Sequence, residues 1–214
     1  MIDDIFYKIE KEMYVVIRNG DLINSNFDFQ NEDIDILCAD KIRIITILGL
    51  VPRNGKDTGV HYKYIDKCGS IKIDLWDIDC GYYDKKWCSD ILGSRVLNAN
   101  GVYVPSEVNS YYSLLYHILI HKNELPQKYK TYVINKSAHI HKMIKFSRQE
   151  MIESLELFMR QNEYHYTYNA YSLATINMDG VSKDLILKNY SKIIKRTYAH
   201  ILLRVKVVIL RYIR

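Results

Sequence analysis

Two aspartates, Asp33 and Asp35, sit two residues apart in the run Asp33-Ile34-Asp35-Ile36-Leu37. The run alternates with period two. It reads as a β-strand with both carboxylates on one face and Ile34, Ile36 and Leu37 packing away from them. Two carboxylates side by side repel unless a positive charge lies between them. Magnesium suits that place: it is small, octahedral, and bound by one or two carboxylates together with substrate phosphates. Manganese would accept the same ligands. A third carboxylate is needed to hold a second metal or to take a proton from a nucleophile. Asp74, in Ile71-Lys72-Ile73-Asp74-Leu75, offers it, with Asp77 and Asp79 as substitutes near the strand end. The expected chemistry is metal-assisted transfer of a phosphorus-centred group. Asp33, Asp35 and Asp74 are the expected ligands, Asp35 and Asp74 the expected catalytic pair, and Asp74 the expected general base.

Other polar residues carry weaker signals. His117 and His121 share a helix face at a spacing of four, which suits zinc, but no third ligand accompanies them; packing with satisfied imidazoles is the simpler account. Lys63, Lys67 and Lys72 flank Asp74 and could neutralise a phosphate, or could simply protect a strand edge. Arg53 and Lys56 could clamp a phosphate from the loop 52–59, and a solvated loop explains them as well. His139 and His141 read as surface or linker. The cysteines, Cys38, Cys68, Cys80 and Cys88, form no CxxC pair, so free thiols in a reducing compartment are expected.

The elements that must position these residues follow from patterning. Residues 2–13 read as a short polar helix, and Tyr14 to Ile17 as a buried strand ending in the turn Arg18-Asn19-Gly20-Asp21. Asp40 is placed to cap a helix running to about Leu48. Residues 60–65 and 70–78 read as paired strands joined through Lys67-Cys68-Gly69. A helix over 83–92 precedes a second hairpin around Asn98-Ala99-Asn100-Gly101. Pro105-Ser106 opens a helix to about Lys122, and further helices are expected over 148–162 and 182–200. The stretch Tyr164 to Tyr168 fits no element clearly. Strands dominate 14–104 and helices 105–214, so the expectation is an α+β fold: a mixed sheet with flanking helices in 1–104, then a helical part in 105–214.

The ordered set resembles the polymerase-β-like nucleotidyltransferase superfamily. Its pattern is a strand ending in Gly-Ser, then Asp-x-Asp on the next strand, then a third acid on a later one. Here the chain departs from the pattern: Arg18-Asn19 stands in the Gly-Ser place and Gly20 comes one position late, so Arg18, Asn19 and Gly20 are expected to meet the phosphates of a nucleotide or nucleotide-diphosphate donor in place of that motif. A further likeness runs over roughly 14–130, carried by Tyr82-Tyr83-Asp84-Lys85-Lys86-Trp87, Asn100-Gly101-Val102-Tyr103-Val104-Pro105 and Tyr111 to Lys122. It resembles an uncharacterised nucleotidyltransferase-like family associated with bacterial surface-polysaccharide or teichoic-acid assembly. The superfamily includes fukutin-type and LicD-type proteins, which move phospho-alditol or phosphocholine groups. The resemblance implies an Mg²⁺-dependent transferase acting on a sugar or lipid-linked glycan acceptor. Two alternatives stay open: modification of a small molecule such as an aminoglycoside, a protein or a tRNA, and a degenerate domain that binds a partner without turnover.

Composition sets the remaining bounds. The 214 residues, 48% hydrophobic and 26% charged, suit an ordinary globular core. The net charge of +5 is uneven: eight basic residues and no acid fall in 188–214, which leaves the rest slightly acidic. That tail fits docking on the body and peripheral contact with an anionic membrane equally. The basic footprint for nucleic acid is thin. With no signal-peptide pattern and no apolar run of spanning length, the expected location is the cytoplasm, including the inner face of the membrane.

Overall fold

The computed structural model describes residues 2–18, 20, 23, 28, 32–67, 69–122, 129, 133–134, 147–167 and 177–187. Asn19, Cys68, His139, His141, the tail 188–214 and most of the expected helix over 182–200 lie outside these. The fold is α+β, built on a mixed five-stranded sheet.

Helix α1 (Ile2–Lys8) is amphipathic rather than purely polar: Ile5 and Phe6 are buried. Strand β1 (Tyr14–Val16) pairs antiparallel with β2 (Ile34–Cys38). Asp40 caps α2 (Lys41–Leu48) as its spacing predicts, accepting the Arg43 N–H at 2.9 Å, and Gly49 ends the helix at φ 61°. A two-residue strand, β3 (Val51–Pro52), precedes β4 (His61–Asp66) and β5 (Gly69–Asp77), the expected antiparallel pair. The sheet order is β1-β2-β5-β4-β3, and only β2 and β5 run parallel.

Asp84 caps α3 (Lys85–Gly93), so this helix starts two residues later than the pattern suggests. The hairpin β6 (Val96–Leu97) and β7 (Tyr103–Val104) turns on Gly101 at φ 72°. Helix α4 (Glu107–Tyr116) then changes its winding into a π-helical turn, His117–His121. Helix α5 (Arg148–Gln161) opens on a complete capping box between Ser147 and Glu150. Within the expected helix over 182–200, the described residues hold one 3₁₀ turn, Lys183–Leu185; Ile186 instead bridges Tyr166 in parallel. Among the described residues no helix is long and apolar enough to cross a membrane.

The two faces of the sheet have separate cores. Ile34, Ile36, Cys38, Ile73 and Leu75 pack with α1 and α2 on one side. Val15, Ile17, Leu37 and Trp76 pack on the other, against residues of α3, α4, the π turn and α5. Leu37 therefore shares the face of Asp35, contrary to expectation, because residues two apart on a strand point the same way. The Asp-x-Asp pair faces the second side, at the edge of an apolar core.

Candidate functional site

Sheet register, rather than sequence proximity, assembles the polar cluster. Asp35 and Asp74 are partners on the parallel pair β2 and β5, and His61 is the partner of Asp74 on β4. At one end of this row the Ile17 N–H bonds the Asp35 carbonyl (2.9 Å); at the other the Arg53 N–H bonds the His61 carbonyl (3.0 Å). Directly opposed residues share a face. Ile17, Asp35, Asp74, His61 and Arg53 thus form one row across the whole sheet, with Asp33 beside it.

Two arginines divide the three carboxylates. Arg18 grips Asp35 with both arms, Nε to Oδ2 at 3.1 Å and Nη2 to Oδ1 at 2.5 Å. The pair is well buried, at 8% and 13% side-chain exposure. Burial works against the Arg18 charge, but Asp35 outweighs it and holds the guanidinium firmly protonated. Arg53 bridges the other two: Nη1 reaches Asp33 Oδ2 at 3.1 Å and Nη2 reaches Asp74 Oδ1 at 2.7 Å. His61 Nδ1–H donates to the same Asp74 oxygen at 2.8 Å. Burial pushes the Asp74 carboxyl above the usual range and the Asp35 charge adds to the push, while His61 and Arg53 oppose it.

Behind Arg18 lies an aromatic layer. Arg18 Nη1 donates to the Tyr82 hydroxyl at 3.2 Å, so that hydroxyl gives its own proton to His117 Nδ1, 2.5 Å away. His121 stacks on the Tyr82 ring at 4.2 Å and 19°, and Trp76 meets the same ring at 4.6 Å. Both His121 ring nitrogens are buried without a hydrogen-bond partner among the described residues, as are Trp76 Nε1 and Arg53 Nε. Burial, reinforced by the Arg18 charge, pulls the His121 imidazole down to about 4, against a small opposing effect of the Tyr82 backbone.

The expected site residues therefore separate. Asp33, Asp35 and Asp74 come together. Arg18 joins them, turned onto Asp35. Gly20 lies under the β6–β7 hairpin, its carbonyl taking a hydrogen bond from Asn98 Nδ2 at 3.1 Å. Asp77 and Asp79 stand apart from the cluster, Asp77 on Lys41 (3.1 Å) and Asp79 on Lys85 (2.7 Å). Lys63 and Lys72 oppose one another on β4 and β5, and Lys67 is exposed. His61 was not singled out by the sequence; only its register with Asp74 reveals it.

For magnesium, the donors are right in kind: hard carboxylate oxygens, two of them on adjacent strands. Asp33 Oδ1 and Asp74 Oδ2 stand outside the arginine pairs. The other oxygens are held by guanidinium groups, and the described residues contain no group of three or more His, Cys, Asp or Glu side chains arranged to hold a metal ion. No family model, curated protein or solved structure matches the chain.

Proposed function

We propose that the chain is a magnesium-dependent transferase with a nucleotidyltransferase-like domain, moving a nucleotidyl or phospho-alditol group from a nucleotide donor to a sugar-containing acceptor in surface-polysaccharide assembly. One observation carries the reading: Asp35 and Asp74 stand side by side on parallel strands with Asp33 on the same face, beside two arginines. Carboxylates and guanidinium groups at one place are the two kinds of group that phosphoryl-type transfer requires.

In this reading the chain's own residues divide the work. Arg53 and His61 meet donor phosphate oxygens. Asp74, whose carboxyl burial pushes up, takes the acceptor hydroxyl proton at Oδ2, the oxygen held by neither Arg53 nor His61. Arg18, buried and anchored on Tyr82, fixes the orientation of Asp35. Magnesium would be held by Asp33 and by Oδ1 of Asp74, the oxygen that Arg53 and His61 leave when they turn to the donor, beside Asp35, and would offset charge on the transferred group.

Calorimetric titration of Mg²⁺ and CTP, followed by incubation of labelled CTP or CDP-alditol with glycan acceptors, tests the proposal. Binding of both, with label transfer that Asp74→Asn removes, is the expected result. Failure to bind either one overturns it. A second reading has its own support, since Arg18 takes both oxygens of Asp35 inside a buried pair: a degenerate domain that binds a partner through a fixed ionic network. Binding of neither Mg²⁺ nor nucleotide would favour that reading.

A further inference from the structure

The two arginines at the cluster are built differently. Arg18 is sealed: 8% exposed, bidentate on one carboxylate and backed by Tyr82 and His117. Arg53 is 22% exposed and stands on the turn after β3, where Gly55 at φ 69° closes back on the Pro52 carbonyl at 3.3 Å. Its arms go to two different carboxylates, and its Nε is buried without a partner among the described residues. A guanidinium split between two acceptors forgoes the paired geometry it prefers, which a phosphate group offers. Without Arg53, Asp33 and Asp74 would lose their shared counter-ion and would gain affinity for a cation.

Building on the transferase reading, we infer that Arg53 exchanges partners when a pyrophosphate-bearing donor binds. In the free protein it neutralises Asp33 and Asp74. In the complex it pairs with a phosphate oxygen, and the two carboxylates turn to the cation. Phosphate and cation binding are then coupled, each favouring the other, as linkage requires. Cation binding to the free protein is weak because Arg53 already occupies the carboxylates. No bond is made or broken in this exchange.

The test is calorimetry on the full chain with two separate probes, so that pyrophosphate does not chelate the metal: Mg²⁺ alone, and inorganic pyrophosphate in EDTA. Arg53→Gln is expected to bind Mg²⁺ about tenfold more tightly than the natural chain and pyrophosphate about tenfold more weakly, the worth of one charge-assisted contact. Arg53→Lys, which keeps the charge but not the forked geometry, should recover part of the pyrophosphate affinity and confirm that the turn tolerates substitution. Arg53→Gln with unchanged pyrophosphate affinity, or with weaker Mg²⁺ binding, overturns the exchange and leaves the metal site standing. If neither probe binds either protein at millimolar concentration, the transferase reading itself falls.

Discussion

Arg18 holds Asp35 through two hydrogen bonds in a pair whose side chains are 8% and 13% exposed. Removing one member of such a pair leaves the other charged and buried, which costs about 3–5 kcal/mol. Asp35→Asn, the obvious probe of a metal ligand, is therefore not a clean one. Loss of activity on that substitution would mix lost chemistry with lost stability. We expect Asp35→Asn and Arg18→Met each to lower the urea midpoint strongly. The double variant Arg18→Met/Asp35→Leu should lose less than the sum of the singles, because no orphan charge remains. A double-mutant cycle showing simple additivity would contradict the buried pair.

Tyr82 links this pair to the π turn, accepting from Arg18 and donating to His117. Tyr82→Phe keeps the ring contacts with Trp76 and His121 but deletes both hydrogen bonds. A loss of about 1–3 kcal/mol is expected, since a buried guanidinium arm loses its acceptor and the short hydroxyl contact with His117 goes with it. Chemical denaturation measures it. A change below a few tenths of a kcal/mol would show that the two bonds add nothing net.

The carboxylate cluster was legible because strand alternation is a local property. Asp33 and Asp35 must share a face, and the apolar flanks of Asp74 mark a second strand. What paired with them was not legible. Arg18 meets Asp35, and Arg53 meets Asp74, only through sheet register, which no short window contains. The π turn was hidden for a related reason: His117 and His121 at a spacing of four look the same on an α-helix and on a π-helical turn. In the described part of the expected helix over 182–200, the apolar Leu185 serves a tertiary contact instead. Leu185 is buried in the same core as residues of α5, and the Tyr166 N–H bonds its carbonyl at 2.8 Å. Tyr164 and Tyr166, ambiguous in the sequence, are buried, because Tyr164 stacks on Trp87 and its hydroxyl reaches Asp90.

His121 should make stability depend on pH. Burial and the nearby Arg18 charge pull its pKa from 6.5 to about 4. The unfolded chain therefore takes up a proton at a higher pH than the folded one. The stabilisation is present above about pH 6.5 and is lost as pH falls towards 4, for a total of about 3 kcal/mol. Asp74 works in the opposite sense: because its pKa is raised on folding, its contribution is fully present below about pH 3.8 and is lost as pH rises through the folded-state value. Urea midpoints from pH 7 to pH 4.5, compared between the natural chain and His121→Leu, isolate the histidine. The variant should show a flatter profile; at pH 7 it gives up the ring stacking on Tyr82 but no side-chain hydrogen bond, so any loss there is the same at every pH. Parallel profiles would mean that His121 does not titrate within this window.

Gly20 sits two residues beyond Arg18, and its role is steric. A Cβ at this position would collide with Cγ1 of Val104 on β7, a branched side chain with little freedom to move aside. The Gly20 carbonyl is also held by Asn98, so the backbone cannot easily retreat. Gly20→Ala should therefore destabilise by about 1–3 kcal/mol, the usual cost of overpacking. Val104→Ala removes the colliding methyl. Added to Gly20→Ala, it should cost less than it does alone, with a coupling of about 1 kcal/mol. Strain at Gly20 is close enough in the chain to shift Arg18, so the single variant should also weaken any nucleotide binding that the cluster supports, and the double variant should restore it. If Gly20→Ala were as stable as the natural chain yet bound nucleotide less well, the glycine would be serving the ligand directly, and the phosphate-contact role implied by the superfamily resemblance would replace the packing role.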